Sequence, residues 1–198
     1  MSSLSHSAAR QIIQDAWRRV HGQNPSERET LYTQAIALFE TGYGRSGQFG
    51  QLADRGLYNW GALHGRINPD GTCPPGTAPG TDIRQVCFLV FRSDVEAAAA
   101  YIQRLTKTHW PTINAMRGSP EDVARAMRTP PAYYEGFAGS EASKVSTYAN
   151  AIRGAVKNIG GNLATASAET AKVTIPALLL LGSIGAIGYT VAKNRRWI

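Results

Sequence analysis

The 198-residue chain has few of the residues that build metal centres and disulfide frameworks. It contains two cysteines and four histidines, and the histidines show no spacing typical of a metal site. Zinc-finger spacing and a glycine-rich phosphate loop are also missing from the sequence. We therefore expect no metal and no cofactor. The histidines are His6, His21, His64 and His109.

The sequence also lacks a positive charge excess over most of its length. The net charge is +7, but residues 151–198 hold six of the 21 Lys and Arg and only one of the 14 Asp and Glu. The excess lies beside an apolar C-terminal segment, which is typical of a juxtamembrane cluster. We expect no nucleic-acid partner.

That apolar segment, residues 173–192, reads VTIPALLLLGSIGAIGYTVA and carries no charge. Twenty such residues suffice to cross about 30 Å of hydrocarbon, and the basic stretch KNRRW follows them. We predict a transmembrane helix from Val173 to Ala192 that contacts the lipid bilayer, preceded by a linker (157–172) and followed by a basic tail (193–198). Its small residues suit helix–helix self-association. A buried helix of a soluble domain is the alternative.

Residues 1–156 have the patterns of one mainly helical domain. Amphipathic periodicity and capping signals predict five helices, and two apolar runs around a Pro/Gly-rich loop predict a small β-hairpin. The second helix starts at Asn24-Pro25-Ser26-Glu27, with Asn24 as N-cap and Glu27 closing a capping box. The predicted helices are 8–21, 25–41, 93–108, 119–127 and 140–156, and the predicted strands are 63–67 and 84–91.

Two cysteines, Cys73 and Cys87, lie on either side of the hairpin loop. This placement favours a disulfide that closes the loop, which would require an oxidising environment. Two buried free thiols are the alternative.

The strongest chemical signal is Glu40, at the end of the second predicted helix. The helix dipole disfavours a carboxylate at a C-terminus, and Phe39, Tyr43 and Trp60 supply apolar neighbours. Both effects favour the protonated carboxyl group, which is what a glycosidase needs to protonate a leaving-group oxygen. A solvated glutamate at a frayed helix end is the other interpretation.

The residues around Glu40 resemble a known family. Glu-Thr-Gly-Tyr-Gly-Arg-Ser begins at Glu40, and Tyr-Asn-Trp-Gly-Ala follows at residues 58–62. These segments resemble the lysozyme-like peptidoglycan hydrolases, most closely the flagellar and autolysin-type glucosaminidases, which read Glu-Ser-Gly-Trp-Gly-(Lys/Arg)-Ser and then Asn-Asn-Leu-Phe-Gly-Ile. The resemblance implies an α+β lysozyme-like fold whose hairpin lies beside the active-site cleft.

The same resemblance implies roles for individual residues. Glu40 corresponds to the general acid, and Asn59 to an asparagine that contacts substrate or braces the loop. Trp60 is a further candidate for substrate contact, and Tyr133 and Tyr134 resemble the family's cleft tyrosine. Trp60 stands where the family usually has Asn or Leu. No second carboxylate is evident, and lysozyme-like lytic transglycosylases work with one glutamate. The candidates for a second carboxylate are Asp54, Asp70, Asp82 and Glu135.

Two classes of function fit these features. The first is a membrane-anchored enzyme that cleaves the glycan strands of peptidoglycan, in a bacterial envelope or in a virion that opens the wall during entry. The second is a non-catalytic wall-binding or assembly module of the same shape. The positive-inside rule puts the basic tail in the cytoplasm and the domain on the peptidoglycan side, although no signal-peptide h-region precedes the domain.

Overall fold

The computed structural model of the chain describes residues 4–65, 67–70, 72–80, 86–107, 110–128 and 139–166. This part of the chain is mainly helical, with one small sheet. Its elements, in chain order, are α1 (His6–His21), α2 (Glu27–Thr41), α3 (Gly47–Ala53), β1 (His64–Gly65), β2 (Thr77–Pro79), β3 (Cys87–Leu89), α4 (Asp94–Lys107), α5 (Trp110–Ala115), α6 (Pro120–Arg128) and α7 (Glu141–Asn158).

Helix α2 is the centre of the helical core, because it is buried on nearly all sides rather than along one stripe. Its N-cap is Ser26, whose hydroxyl accepts from the Glu29 N–H while the Glu29 carboxylate accepts from the Ser26 N–H. The prediction of Asn24 as N-cap and Glu27 as its capping-box partner was therefore wrong by two residues. The predicted C-terminal end at Thr41 is confirmed.

The other long helices enclose α2. Helix α1 packs against α2 and α4, and α7 packs against α2 and α6. Burying these apolar faces is the main stabilising contribution in a domain of this size. Fully buried side chains from four helices meet in this core, namely Ile13, Tyr32, Ile36, Ile102, Tyr148 and Ile152.

The sheet has three antiparallel strands in the order β1–β3–β2, where a two-stranded hairpin was predicted. Strand β2 lies in the proline- and glycine-rich stretch that the sequence predicts to be loop. It pairs with β3 from Thr77↔Leu89 to Pro79↔Cys87. The predicted disulfide is confirmed: Cys73 is bonded to Cys87 and joins the chain ahead of β2 to the first residue of β3.

Two helices, α3 and α5, were not predicted. Helix α7 continues two residues past the expected domain end at 156, to Asn158. The chain then turns back, and Gly161 lies against Leu31 so closely that a Cβ there would come within 2.6 Å of the Leu31 Cδ2.

Within the described residues, no helix is long and apolar enough to cross a bilayer. The predicted span from Val173 to Ala192 lies outside them.

Candidate active site

Glu40 lies in the last turn of α2, one residue before the helix ends. Gly42 terminates the helix in the left-handed conformation (φ 57°), which glycine adopts without steric cost. No basic residue lies in this last turn to offset the negative end of the helix dipole. Glu40 is partly exposed to solvent, so the chain presents a carboxyl group at the surface end of its most buried helix.

The carboxyl group of Glu40 lies in apolar, hydroxyl-rich surroundings. The Tyr148 Oη, from the fully buried side chain of α7, donates a hydrogen bond to the Glu40 Oε1 at 2.9 Å. The Phe39 ring packs edge-on against the Tyr148 ring at 5.0 Å. Burial raises the pKa of Glu40 from 4.5 to about 7, and the bond from Tyr148 opposes part of that rise. At neutral pH this carboxyl group can therefore both hold and donate a proton.

The charge of Glu40 also affects a second tyrosine. Tyr101, on α4, is only 3% exposed, and its Oη has no hydrogen-bond partner among the described residues. Burial, and then the negative charge of Glu40, raise the pKa of the Tyr101 hydroxyl well above its ordinary value. The Tyr101 ring fills the space beside Gly61, where a Cβ would lie 2.1 Å from the ring atom Cδ2. Tyr101 thus brings a neutral hydroxyl donor into the electrostatic range of Glu40.

The loop after Glu40 is held in a strained conformation. Tyr43 has φ 58°, a region that non-glycine residues rarely adopt and that persists only when surrounding contacts enforce it. Its ring lies 5.5 Å from the Trp60 ring, and its Oη lies 3.0 Å from the His6 Nδ1. The Gln34 Nε2 also donates to the Tyr43 Oη, at 3.3 Å. Side chains from α1 and α2 therefore fix this loop from one side.

A second set of contacts ties the loop to residues 59–61. The Thr41 Oγ1 donates to the Trp60 carbonyl oxygen at 2.6 Å and accepts from the Gly44 N–H at 3.0 Å. Gly44 passes so close to this segment that a Cβ would lie 2.8 Å from the Asn59 carbonyl oxygen. Only glycine fits there, which accounts for the second glycine of the Gly-Tyr-Gly stretch.

Asn59 and Trp60 brace this structure from inside it, and both are 0% exposed. The Asn59 amide nitrogen donates to the carbonyl oxygens of Leu63 and Leu89, at 2.9 and 2.8 Å, and its Oδ1 accepts from the Leu63 N–H. The Trp60 Nε1 donates to the Asp94 Oδ1 at 2.8 Å. With no exposed surface, neither side chain can contact a sugar in this conformation. Of the two roles expected for Asn59, substrate contact and bracing of the loop, these contacts support bracing.

An ion pair holds the outer side of the loop. Arg45 donates to the Asp94 Oδ2 at 2.8 Å while Asp94 also holds Trp60, so the first turn of α4 anchors both ends of the loop. Less than a fifth of either ionic side chain is exposed. The Arg45 guanidinium lies over the Tyr58 ring, 4.8 Å from its centroid.

The structure places two of the four candidate second carboxylates, and neither affects Glu40. Asp54 is exposed and caps the C-terminus of α3. Asp70 is exposed in a turn, where hydrogen bonds from the Thr72 hydroxyl and N–H lower its pKa. Burial and Tyr148 account for the change in the pKa of Glu40, with no contribution from a carboxylate of the described residues. Asp82, Glu135, Tyr133 and Tyr134 lie outside the described residues.

Sequence reasoning missed Tyr148, which contacts Glu40, and Tyr101, whose pKa the charge of Glu40 raises. Tyr148 is 108 residues away from Glu40 along the chain, so no local pattern links them. Tyr101 carried a weak signal, because it is the one aromatic residue of an alanine-rich helix and shares the inward register of Ala98 and Leu105. A polar aromatic in a core register needs a hydrogen-bond partner, which marks it for attention.

No protein-family model, curated protein or solved structure matches the chain. Among the described residues, no three His, Cys, Asp or Glu side chains come together in a group that could hold a metal ion. The chemistry available to this site is therefore inferred from its own side chains.

Proposed function

We propose that this protein is a glycosidase that cleaves the glycan strands of peptidoglycan, with Glu40 as the general acid. The supporting observation is the placement of that carboxyl group: it lies in the last turn of a buried helix, and the hydroxyl of the buried Tyr148 donates to it at 2.9 Å. Burial raises its pKa to about 7. Such a group can donate a proton to the bridging oxygen at neutral pH. The resemblance at Glu40 to Ser46 and Tyr58 to Ala62 supplies the substrate class.

The reaction is proposed to proceed with one carboxyl group. Glu40 protonates the oxygen between two aminosugars, and the bond from that oxygen to the anomeric carbon breaks, leaving positive charge on the sugar ring. The described residues offer no second carboxylate that interacts with Glu40, so the acetamido group of the substrate is the proposed stabiliser. Water then adds to the anomeric carbon and completes a hydrolysis, or the 6-hydroxyl of a muramic residue closes an anhydro ring, as in lytic transglycosylases. In either case the Glu40 carboxylate takes the proton of the attacking hydroxyl.

The braced loop supports this assignment because it holds the residues that follow the acid in one position. Thr41, Tyr43 and Trp60 hold the residues after Glu40 through at least three independent hydrogen bonds. A catalytic acid must be held within a fraction of an ångström of its working position. Strain in the backbone at Tyr43 is also typical of a functional site.

The membrane-anchored arrangement is part of the proposal and depends on the sequence alone. The segment from Val173 to Ala192 is expected to anchor the enzyme in a bilayer, with its domain on the peptidoglycan side, in a virion or a bacterial envelope. Protease digestion of intact cells, spheroplasts and purified particles tests it. Cleavage of the domain only after the inner membrane is lysed, with none of the protein in particles, would contradict this topology.

The test of function is digestion of purified peptidoglycan sacculi by the wild-type protein and by Glu40→Gln. The isosteric amide has no acidic proton to donate, so we expect release of soluble muropeptides to fall by at least about a thousandfold. Mass spectrometry of the released fragments separates anhydro ends from reducing ends and identifies the cleaved bond. Equal release by both proteins would remove Glu40 from the mechanism. Sacculus binding without release by the wild type would favour the non-catalytic wall-binding module.

A further inference from the structure

A polar cavity of about 460 Å³ lies between the start of α1, helix α2 and the segment that follows α7. Its volume is within the range of small-molecule sites in proteins. Glu40, Tyr148 and the loop residues 41–63 do not line it. Its deepest polar residue, Gln34, is six residues before Glu40 on α2, which puts the two residues about 9 Å apart along the helix axis and about 120° apart around it. The cavity is therefore separate from the carboxyl group of the proposed acid.

The side-chain amide of Gln34 is the most buried polar part of the cavity wall, since only 2% of this residue is exposed. Its Nε2 donates to the His6 carbonyl oxygen at 2.7 Å and to the Tyr43 Oη at 3.3 Å. Both N–H bonds are thus engaged, and the orientation of the amide is fixed. The Gln34 Oε1 accepts no hydrogen bond from the described residues. A buried acceptor without a partner costs free energy, which a donor on a bound ligand would recover.

The segment after α7 brings a donor to the same cavity. The Asn162 Oδ1 accepts from the Ala164 N–H at 2.9 Å, whereas the Asn162 Nδ2 donates to none of the described residues. Leu31 and Ile159 add apolar surface. A ligand in the cavity therefore meets an acceptor on α2, a donor on the returning chain and an apolar area beside them.

The charged groups of the cavity are paired with each other. The Arg10 guanidinium donates to both carboxylate oxygens of Glu27, in a bidentate pair. His6, the other titratable residue among those that line the cavity, is hydrogen-bonded through its Nδ1 to the Tyr43 Oη. Paired charges beside uncommitted amide groups favour an uncharged, polar ligand over an anion or a cation.

We propose that this cavity is a second saccharide site, which binds an uncharged 2-acetamido sugar unit of a glycan strand. The acetamido group offers an N–H to the Gln34 Oε1, a carbonyl oxygen to the Asn162 Nδ2 and a methyl group to the apolar surface. Ring hydroxyls, which both donate and accept, suit the Arg10–Glu27 pair. The choice of an aminosugar over another neutral sugar rests on the proposed function, because the glycan strands of peptidoglycan consist of such units.

The test is a nitrogen-15 NMR titration of Glu40→Gln, which lacks the proposed acid, with the trimer of N-acetylglucosamine. We expect saturable changes in the side-chain amide signals of Gln34 and Asn162. Cellotriose, which has a hydroxyl in place of each acetamido group, should bind at least about tenfold more weakly. Equal affinity for the two trimers would contradict the acetamido contact. Unchanged Gln34 and Asn162 signals would overturn the site.

Two variants in the same background test the cavity itself. Thr165→Trp puts an indole at the exposed rim, and Gln34→Met removes the amide oxygen. We expect each to weaken binding of the trimer at the cavity at least about tenfold. Gln103→Trp is the matched control: it is exposed on α4, does not line the cavity and should bind as before. Changes in the Gln34 signals that persist undiminished in Thr165→Trp would overturn the site, and this variant alters an exposed turn rather than the helical core.

With sacculi as substrate, a second site should hold the strand without taking part in bond cleavage. Thr165→Trp in the otherwise wild-type protein should raise the sacculus concentration at half-maximal rate at least about tenfold and leave the maximal rate unchanged. Identical concentration dependence for the variant and the wild type would contradict this role. The NMR titrations involve no cleavage, so failure of the wild type to digest sacculi would count against the proposed function alone.

Discussion

The loop from Thr41 to Leu63 and the two tyrosines Tyr101 and Tyr148 differ in how completely their buried polar atoms are hydrogen-bonded. In the loop, the side chains of Asn59 and Thr41 bond to backbone groups, and the Trp60 indole bonds to Asp94. Around the carboxyl group, Tyr148 has made its bond but the Tyr101 hydroxyl has none among the described residues. Satisfied buried networks rigidify a fold, whereas an unsatisfied buried group costs stability.

This difference separates the residues of the loop, which hold the site in place, from the tyrosines, of which Tyr148 affects the protonation of Glu40. The loop should respond to substitution with a loss of stability, and the carboxyl surroundings with a change in the pKa of Glu40. Substitutions in each of the two regions test that division.

The largest stability effect is expected for Asn59→Ala in the loop. The substitution leaves the buried carbonyl oxygens of Leu63 and Leu89 and the Leu63 N–H without the partner that Asn59 supplies. We expect a loss of about 2–4 kcal/mol in the free energy of unfolding, measured by urea denaturation. The exposed Asn114→Ala is the control and should change it by less than about 0.5 kcal/mol. Similar values for the two variants would show that Asn59 is not a brace.

Removal of the disulfide with Cys73→Ala and Cys87→Ala should come next. The bond spans 14 residues of sequence, and a closed loop of that length contributes about 3 kcal/mol in the chain-entropy model. The effect should reach the loop, because Asn59 donates to Leu89 at the end of the same strand, β3. Peptide mapping that finds free thiols in the native protein would contradict the disulfide itself.

A pair of glycine variants tests the contact between the two sides. Gly61→Ala would place a Cβ against the Tyr101 ring, and we expect a loss of about 1–3 kcal/mol from the overpacked core. Gly154→Ala, in α7 with open space around its Cα, should instead raise stability by about 0.5–1 kcal/mol. The midpoints of thermal denaturation of the two proteins should therefore shift in opposite directions. Equal shifts would show that the Tyr101 ring can move aside without a loss of stability.

Tyr148→Phe should give a small loss of stability and a clear change in the titration of Glu40. It removes one hydrogen bond to Glu40, which is worth about 1 kcal/mol. Since that bond lowers the pKa of Glu40, its loss should raise the pKa above about 7. An unchanged alkaline limb in the pH profile of sacculus digestion would contradict the role of Tyr148.

The sequence predicted well what is encoded locally. Helix α2 and its end at Thr41 follow from capping residues, apolar periodicity and Gly42, and these signals also placed Glu40 at a helix terminus. Asn24 and Ser26 are both good N-caps with a glutamate three residues further on, so the sequence offered two capping boxes. The box forms between Ser26 and Glu29, while Asn24 accepts a hydrogen bond from Arg18 and Glu27 accepts one from Arg10. Strand β2 escaped prediction because it is three residues long and includes a proline at the edge of the sheet.

The composition of the site could not be predicted in the same way. Tyr148 reaches Glu40 through packing of α7 on α2, and Tyr101 arrives on a third helix. Such long-range contacts leave no periodic trace in the sequence. The burial of Asn59 and Trp60 likewise depends on the sheet and on the start of α4, so sequence comparison alone favoured them as sugar contacts.

The free energy of unfolding should depend on pH because the pKa of Glu40 is raised in the folded state. Its folded-state pKa of about 7 exceeds the unfolded value near 4.5, so the folded state binds more protons between these pH values and loses stability as pH rises through them. The loss is about 3 kcal/mol at most, because a tenfold change in an acid dissociation constant corresponds to about 1.4 kcal/mol. Urea denaturation of Glu40→Gln should lack this component and show a higher stability than the wild type above pH 7.

The most direct test of the central claim is the titration of Glu40 itself, followed by the carbon-13 chemical shift of its carboxyl carbon and assigned by comparison with Glu40→Gln. We predict a midpoint near 7 that coincides with the alkaline limb of the pH profile of sacculus digestion. A midpoint near 4.5, the value of an ordinary exposed glutamate, would show a carboxylate at neutral pH and would contradict its role as a general acid.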